Sequence, residues 1–486
     1  MKLSRLLLLF LCAAAVTIVI SCSRPSEKSL AITNVTVIDM TGAAPRPGQT
    51  VLVVGERIVA VGTAGSLHLP SGATIVDGTA KFLIPGLADM HVHLTAASEP
   101  DGSRKFMIPL LLANGITTAR DMGGYLESLV PLREEIKKGK RLGPQIFYAG
   151  PYLDGSPPSF QPSLVVMNRA QANDDVHQLV QRGVDFIKVQ SILNRDAYFA
   201  IAEAARQEHI TFVGHVPDHV TAADAADAGQ HSVEHLTNVL RGCSSDEAKL
   251  MREQFYVAPK KETLEQAHAR VVRWQRELLE SYSQPEAGAL IGKFVAKDVW
   301  QTPTLVLLKN DAFPTSSNNA TQDEHVKYIP QALLAIWKKG RGEQMRLVGA
   351  EESKLREQLF AKSAALVGQM RRSGVGVLAG TDSPAPYVFP GFALHEELAM
   401  LVDAGLTPAE ALQAATRSAA EFLGKGKNSG TIAEGKYADL VLLDANPLEE
   451  IRNTRRIRAV IVRGKLLDRG ALDEMLESVL SFAGTH

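Results

Sequence analysis

Six residues are typed and spaced so that together they could hold metal: His91, His93, Lys188, His215, His235 and Asp382. The first two close the stretch Pro85-Gly86-Leu87-Ala88-Asp89-Met90-His91-Val92-His93, directly after the apolar run Phe82-Leu83-Ile84. Alternate side chains of a strand share a face, so His91 and His93 can grip one ion between them. Neutral imidazole is the commonest protein ligand for such ions. Each of the other four lies near the C-terminal end of its own short apolar run. A barrel of parallel strands gathers such ends at one mouth.

The elements that must position these residues alternate between apolar strands and helix-patterned stretches, as βα units do. Candidate strands are Leu83–Met90, Ile116–Asp121, Gln145–Gly150, Phe186–Gln190, Thr211–Val216, Ser232–Leu236, Thr302–Leu308 and Val375–Thr381. Eight is the number of a closed (β/α)8 TIM barrel, so the fold class is α/β, with the barrel over 85–424. Thr407-Pro408-Ala409-Glu410 predicts a capped helix running to Phe422 and stopping near Gly424. Short β segments rich in branched residues occupy both ends, which predicts a small composite β-sandwich domain from 30–84 and 425–475. The long interval between His235 and Asp382 predicts a helical insertion over about 244–370. It is either an elaborated outer layer or a lid over the mouth.

The ordered motifs resemble the metal-dependent amidohydrolase superfamily, in its imidazolonepropionase-like and prolidase-like branch. They are the Pro85–His93 stretch, Gly115-Ile116-Thr117-Thr118-Ala119-Arg120-Asp121-Met122-Gly123, Asp185-Phe186-Ile187-Lys188-Val189, Gly214-His215-Val216-Pro217, Val233-Glu234-His235, Gly380-Thr381-Asp382 and Gly435-Lys436-Tyr437-Ala438-Asp439-Leu440-Val441. The resemblance spans nearly all of the chain after its first segment. It implies that His91, His93 and Asp382 hold one divalent ion and that His215 and His235 hold a second. A protonated lysine has no lone pair to offer a cation. Similarity to the binuclear members implies that Lys188 reacts with carbon dioxide and bridges both ions as a carbamate. The alternative is a structural lysine paired to a carboxylate, with one metal. Such a ligand set suits zinc without excluding manganese or cobalt.

Further roles follow from the same resemblance. Asp382 is the expected catalytic proton shuttle, and Asp89 is expected to orient a ligand imidazole. Asp218 stands where deaminases of the superfamily carry a glutamate, which argues against deamination. Tyr152, Arg120 and His395 are candidate substrate-binding residues. Arg120 could instead form an internal ion pair with Asp121 or Asp382, and His395 could cap the eighth helix. The implied activity is hydrolysis of an amide or peptide bond in a small substrate, a dipeptide or N-acyl amino acid. A cyclic amide or lactone hydrolase is the alternative, and a catalytically silent surface-binding lipoprotein is a third.

Composition excludes less than the motifs assert. At 486 residues, a net charge of −1 and 45% hydrophobic content, the chain offers no basic stripe for nucleic acid. Lys2 and Arg5 precede the apolar run Leu6–Ile20, which is too short to span a bilayer. It ends in Val19-Ile20-Ser21-Cys22, which resembles a bacterial lipobox. Residues 1–22 are therefore expected to be a lipoprotein signal, with Cys22 lipidated, 23–29 a tether, and the exported protein on a membrane facing the periplasm or cell surface. A cleaved secretory signal is the alternative. Cys12, Cys22 and Cys243 are the only cysteines, so no disulfide can form after the signal. A homo-oligomer is compatible with everything above.

Overall fold

The computed structural model describes residues 28–95, 101–253, 262–313 and 323–485. The signal segment with Cys22, and the tether up to residue 27, lie outside the described residues. Ser29, expected to end the tether, already begins the first strand.

Both ends of the chain meet in one β layer. Its strands are Ser29–Val37, Arg46–Val54, Arg57–Thr63, Thr74–Asp77, Phe82–Pro85, Leu440–Leu443, Ile457–Val462 and Lys465–Leu467. All eight are linked by hydrogen bonds in one strand order. Phe82–Pro85 pairs antiparallel with Leu440–Leu443 and parallel with Ser29–Val37, which stitches the two ends together. Alternate residues Ile32, Val51, Val53, Ile58, Leu83, Leu440 and Leu442 form its own buried cluster, the period-two burial of a half-covered sheet. The helix Arg469–Thr485 leaves this layer and packs on Ile108–Ala113, burying Leu472, Val479 and Phe482 in the main core. The expected boundary at 475 thus falls inside a helix.

The expected first barrel strand is split at Gly86: Phe82–Pro85 serves the β layer and Leu87–Val92 starts the α/β body. A Cβ on Gly86 would collide with the Thr117 side chain, so the chain can cross between layers only with glycine there. Leu87–Val92, Ile116–Asp121 and Gln145–Tyr148 form one parallel sheet. Ile187–Val189, Phe212–Gly214, Ser232–Glu234 and Trp300–Thr302 follow in a second parallel sheet, extended beside Ile187–Val189 by Tyr152–Asp154 and Ser163–Val165. Backbone hydrogen bonds continue between and beyond these sheets. The Asp185 amide donates to Tyr148 O (3.0 Å), Gln301 to Gly376 O (2.9 Å) and Met90 to Ala379 O (2.9 Å). Val377 bridges Gln301 and Ser383 bridges Val92, both in parallel. The segment 375–383 therefore lies between the strand at 300–302 and the strand at 87–92.

Two expectations need correction. Thr302–Leu308 is not a strand: the strand is Trp300–Thr302, and Leu305–Ala312 is a helix. The run Leu305-Val306-Leu307-Leu308 suits a buried strand or a buried helix equally, and a short apolar run cannot separate the two. That strand also divides the predicted insertion into two helical groups, Glu247–Lys297 and Leu305–Arg372. The helix capped by Thr407 and Glu410 has the expected capping box, but it ends at Ala414 and restarts at Arg417. The break frees the carbonyls of Ala414 and Ala415 to accept from the amides of Ala379 and Ala88. Tertiary pairing has overridden helix continuity there.

Candidate metal centre and its cavity

All six expected ligands line a single cavity of about 680 Å³. His91 ends the strand Leu87–Val92 and His93 follows it; Lys188 is central in Ile187–Val189; His215 and His235 follow directly after Phe212–Gly214 and Ser232–Glu234. Asp382 follows the bridged segment at 377. His91, His93 and Asp382 present ligand atoms within 4.8 Å of one another. The imidazoles of His91 and His235 lie 4.4 Å apart by ring centroid, and those of His215 and His235 lie 5.1 Å apart.

The backbone is bent to achieve this. Asp382 (φ 66°), His235 (φ 57°) and Thr304 (φ 48°) all adopt the left-handed conformation that non-glycine residues avoid. Three such residues at one place mark conformational cost accepted at a site. Gly380 leaves the room: a Cβ there would lie 2.9 Å from the His91 Cβ and 2.6 Å from Thr302 Cγ2.

Each imidazole is held from behind through Nδ1. His91 Nδ1 meets the Glu234 carboxylate at 2.9 Å, and His93 Nδ1 meets Gly123 O at 3.0 Å. His235 Nδ1 lies 2.7 Å from Thr304 Oγ1, whose own proton goes to Pro303 O, so the threonine oxygen must accept. His215 Nδ1 lies 2.7 Å from Ser191 Oγ. For His91, His93 and His235 these partners place the proton on Nδ1 and leave Nε2 as the bare nitrogen. The Nε2 atoms of His91 and His93 both face Asp382 Oδ1, at 3.1 and 2.9 Å. Lone pairs converging on a carboxylate oxygen require a cation among them, either a metal ion or the proton that the Asp382 carboxylate favours on His93 against burial. Lys188 Nζ is buried with no hydrogen-bond partner, a costly arrangement unless something else meets it. On both counts the residues fit a bound divalent metal.

Electrostatics agree. Burial pushes the Lys188 amine down to about 8, against the pull of Glu234 and Asp382. Burial, helped by His91, pushes His235 down to about 3, and His215 falls well below the usual histidine range for the same first reason. Both are therefore neutral, the form that ligates. Burial alone would raise the Asp382 carboxyl, but His235 and His91 outweigh it and hold it well below the ordinary carboxylate range.

The remaining expectations divide. Tyr152 lines the cavity, its hydroxyl 3.1 Å from His93 Nδ1. Arg120 does not. It is fully buried behind the histidines, donating to Glu234 (2.9 Å), Thr302 Oγ1 (3.1 Å) and Met90 O (2.5 Å). Its partner is Glu234, neither Asp121 nor Asp382. His395 is buried in the helix Phe392–Asp403 with Nδ1 3.0 Å from Thr454 Oγ1, away from the cavity lining. Asp89 accepts from the backbone of His91 and Thr381 and from Thr381 Oγ1 (2.7 Å), so it clamps two strands together and orients no imidazole. That orienting role belongs to Glu234, which the sequence reading passed over.

Residues 82–467 match the Amidohydrolase family, and the chain belongs to that family. Among curated relatives, an imidazolonepropionase of Chromobacterium violaceum is 33% identical over 130 residues, 26% of this chain and 30% of that protein. An ochratoxinase of Aspergillus niger is 36% identical over 91 residues, 18% of each chain. The matched stretches thus span under a third of these relatives' lengths. Among solved structures, a bottromycin amidohydrolase superposes with a TM-score of 0.73 at 21% identity, covering 95% of this chain and 92% of its own. At that identity the likeness shows the fold.

Proposed function

We propose that this chain is a hydrolase that cleaves an amide or peptide bond of a small substrate, with its chemistry at the mouth of a (β/α)8 barrel made by the ring of parallel segments from 87–92 to 375–383. The single observation that supports it most is the convergence of four imidazoles, Asp382 and an unpartnered, buried Lys188 on one cavity. His91, His93 and Asp382 would hold one divalent ion and His215 and His235 another. With its amine lowered to about 8, Lys188 has a neutral fraction near pH 7. That fraction can add to carbon dioxide, forming a C–N bond and releasing a proton, to give a carbamate whose oxygens would help hold the ions. Bound divalent ions supply Lewis acidity and lower the pKa of water.

The chain's own groups do the rest. Glu234, Gly123 and Thr304 hold His91, His93 and His235 in one tautomer. Asp382, kept ionised by its neighbours, accepts the proton of the attacking water and returns it to the leaving nitrogen. Metal analysis and Lys188→Ala test the reading together. Two ions per chain are expected in the parent, and the variant loses activity that short carboxylic acids partly restore. One ion per fully active chain, or a variant with parental turnover, overturns it.

We also propose that Cys22 is lipidated and anchors the protein to a membrane. Among the described residues no helix is long and apolar enough to cross one. If Cys22→Ala leaves as much protein in the membrane fraction as the parent, the anchor is wrong.

A further inference from the structure

Part of the cavity lining differs in character from the metal ligands. It is built from Phe160, Leu307, Leu308, Pro384, Ala385 and Pro386, with the polar side chains of Tyr125, Gln161 and Gln190 among them. Apart from Lys188, no lysine or arginine lines the cavity among the described residues. Among the described residues a free substrate carboxylate would therefore find no cation on this wall, and guanidinium or ammonium groups are the usual partners of a desolvated carboxylate.

One charge does stand there, and it is negative. Asp311 lines the cavity near the end of the helix Leu305–Ala312, and its carboxylate makes no hydrogen bond or ion pair among the described residues. Burial raises the Asp311 carboxyl, against the pull of two arginines that flank the same stretch without lining the cavity. Arg341 donates to Asn310 O (2.9 Å), and Arg356 donates to Asp311 O (3.0 Å) while pairing with Glu352 at 2.7 Å. The helix starts at Thr304, whose hydroxyl holds His235. Seven residues at the α-helical rise place Asp311 roughly 10 Å farther along the axis from that anchor.

We infer that, given the amide-hydrolase reading on which this rests, the cavity selects an apolar amide bearing a cationic group at its end remote from the scissile carbonyl, held by Asp311, over substrates bearing a free carboxylate at that end. The apolar wall takes the connecting chain, and Asp311 sets the sign of the charge at its end.

Three benzoyl amides of equal length test this on the zinc-loaded full chain: those of hexanediamine, hexylamine and aminohexanoic acid, ending in a cation, a methyl group and a carboxylate. The expected order of kcat/KM is cation, then methyl, then carboxylate, with cation over carboxylate about tenfold or more. In Asp311→Asn that ratio should collapse about tenfold, and in Asp311→Lys it should invert. A carboxylate substrate turned over as well as the cationic one, or a ratio unmoved by Asp311→Asn, overturns the inference. If none of the three is hydrolysed, the amide-hydrolase reading fails on its own. Calorimetric affinities for the same three amides then judge the charge rule, which stands if the cation binds best in the parent but not in Asp311→Asn, and falls otherwise.

Discussion

Two glutamates, both fully buried, meet opposite fates in two regions of the molecule. Behind the histidines, Glu234 sits against the Arg120 guanidinium and the His91 imidazole. Burial would raise its carboxyl, but Arg120 and His91 overcome that and hold it below the ordinary range. In the outer layer, Glu397 on the helix Phe392–Asp403 accepts only from the backbone, with the Val306 amide at 2.8 Å, and burial pushes it up to about 8. The lesson is that burial alone does not set a charge in this protein; the partner does. The cavity is the third case. There Lys188 is buried like both glutamates, but its amine has neither a charged partner in hydrogen-bond reach nor a backbone one.

This contrast can be broken at its strongest point first. Asp382→Asn should keep most of the metal, because its amide oxygen can still coordinate, and should lose turnover by roughly 10²–10⁴-fold in kcat rather than KM. Near-parental kcat would remove Asp382 from proton transfer. Arg120→Met comes next. It leaves Glu234 buried without its cation and should cost about 3–5 kcal/mol in urea unfolding. A loss below about 1 kcal/mol would show that His91 alone sustains the charge.

Glu397→Gln should act with pH. The folded carboxyl titrates near 8, above its unfolded value, so its contribution to stability is complete below about pH 4.5 and fades as pH rises through 8. The glutamine has no such loss. Its stability relative to the parent should therefore climb by about 3–4 kcal/mol between pH 5 and 8, and a flat difference would mean that Glu397 finds a cation in solution. The smallest effect belongs to the surface. Thr407→Ala removes one half of the capping box with Glu410 and should lower stability by about 1 kcal/mol, with no change in turnover.

The ligand set was legible because each ligand closes its own apolar run, so order along the chain stands in for position around the ring. What holds the ligands was not legible. Thr304, Ser191 and Glu234 come from segments whose register becomes defined only when neighbouring strands pair, and Thr304 lies inside the run misread as a strand. Arg120 and His395 illustrate the reverse error. Both sit close in sequence to motif residues, but Arg120 turns toward Met90 and Glu234 behind the site, and His395 toward Thr454. Proximity along the chain says nothing about which side of a strand or helix a group takes. The apolar wall was invisible for a simpler reason: leucines and prolines at a cavity look like leucines and prolines in a core.

The sheet that joins the two ends also sets a timetable for biosynthesis. Phe82–Pro85 cannot gain its antiparallel partner until Leu440–Leu443 has emerged from the ribosome. At roughly 5–20 residues per second, the early strands wait on the order of tens of seconds with one edge unpaired. An exposed edge is a template for pairing with another chain, and such non-local closure is slow even after release. Crowded synthesis should therefore jeopardise yield more than heat does. A circularly permuted gene that makes residues 425–485 before residue 29 would shorten that interval and should raise the soluble fraction of newly made protein.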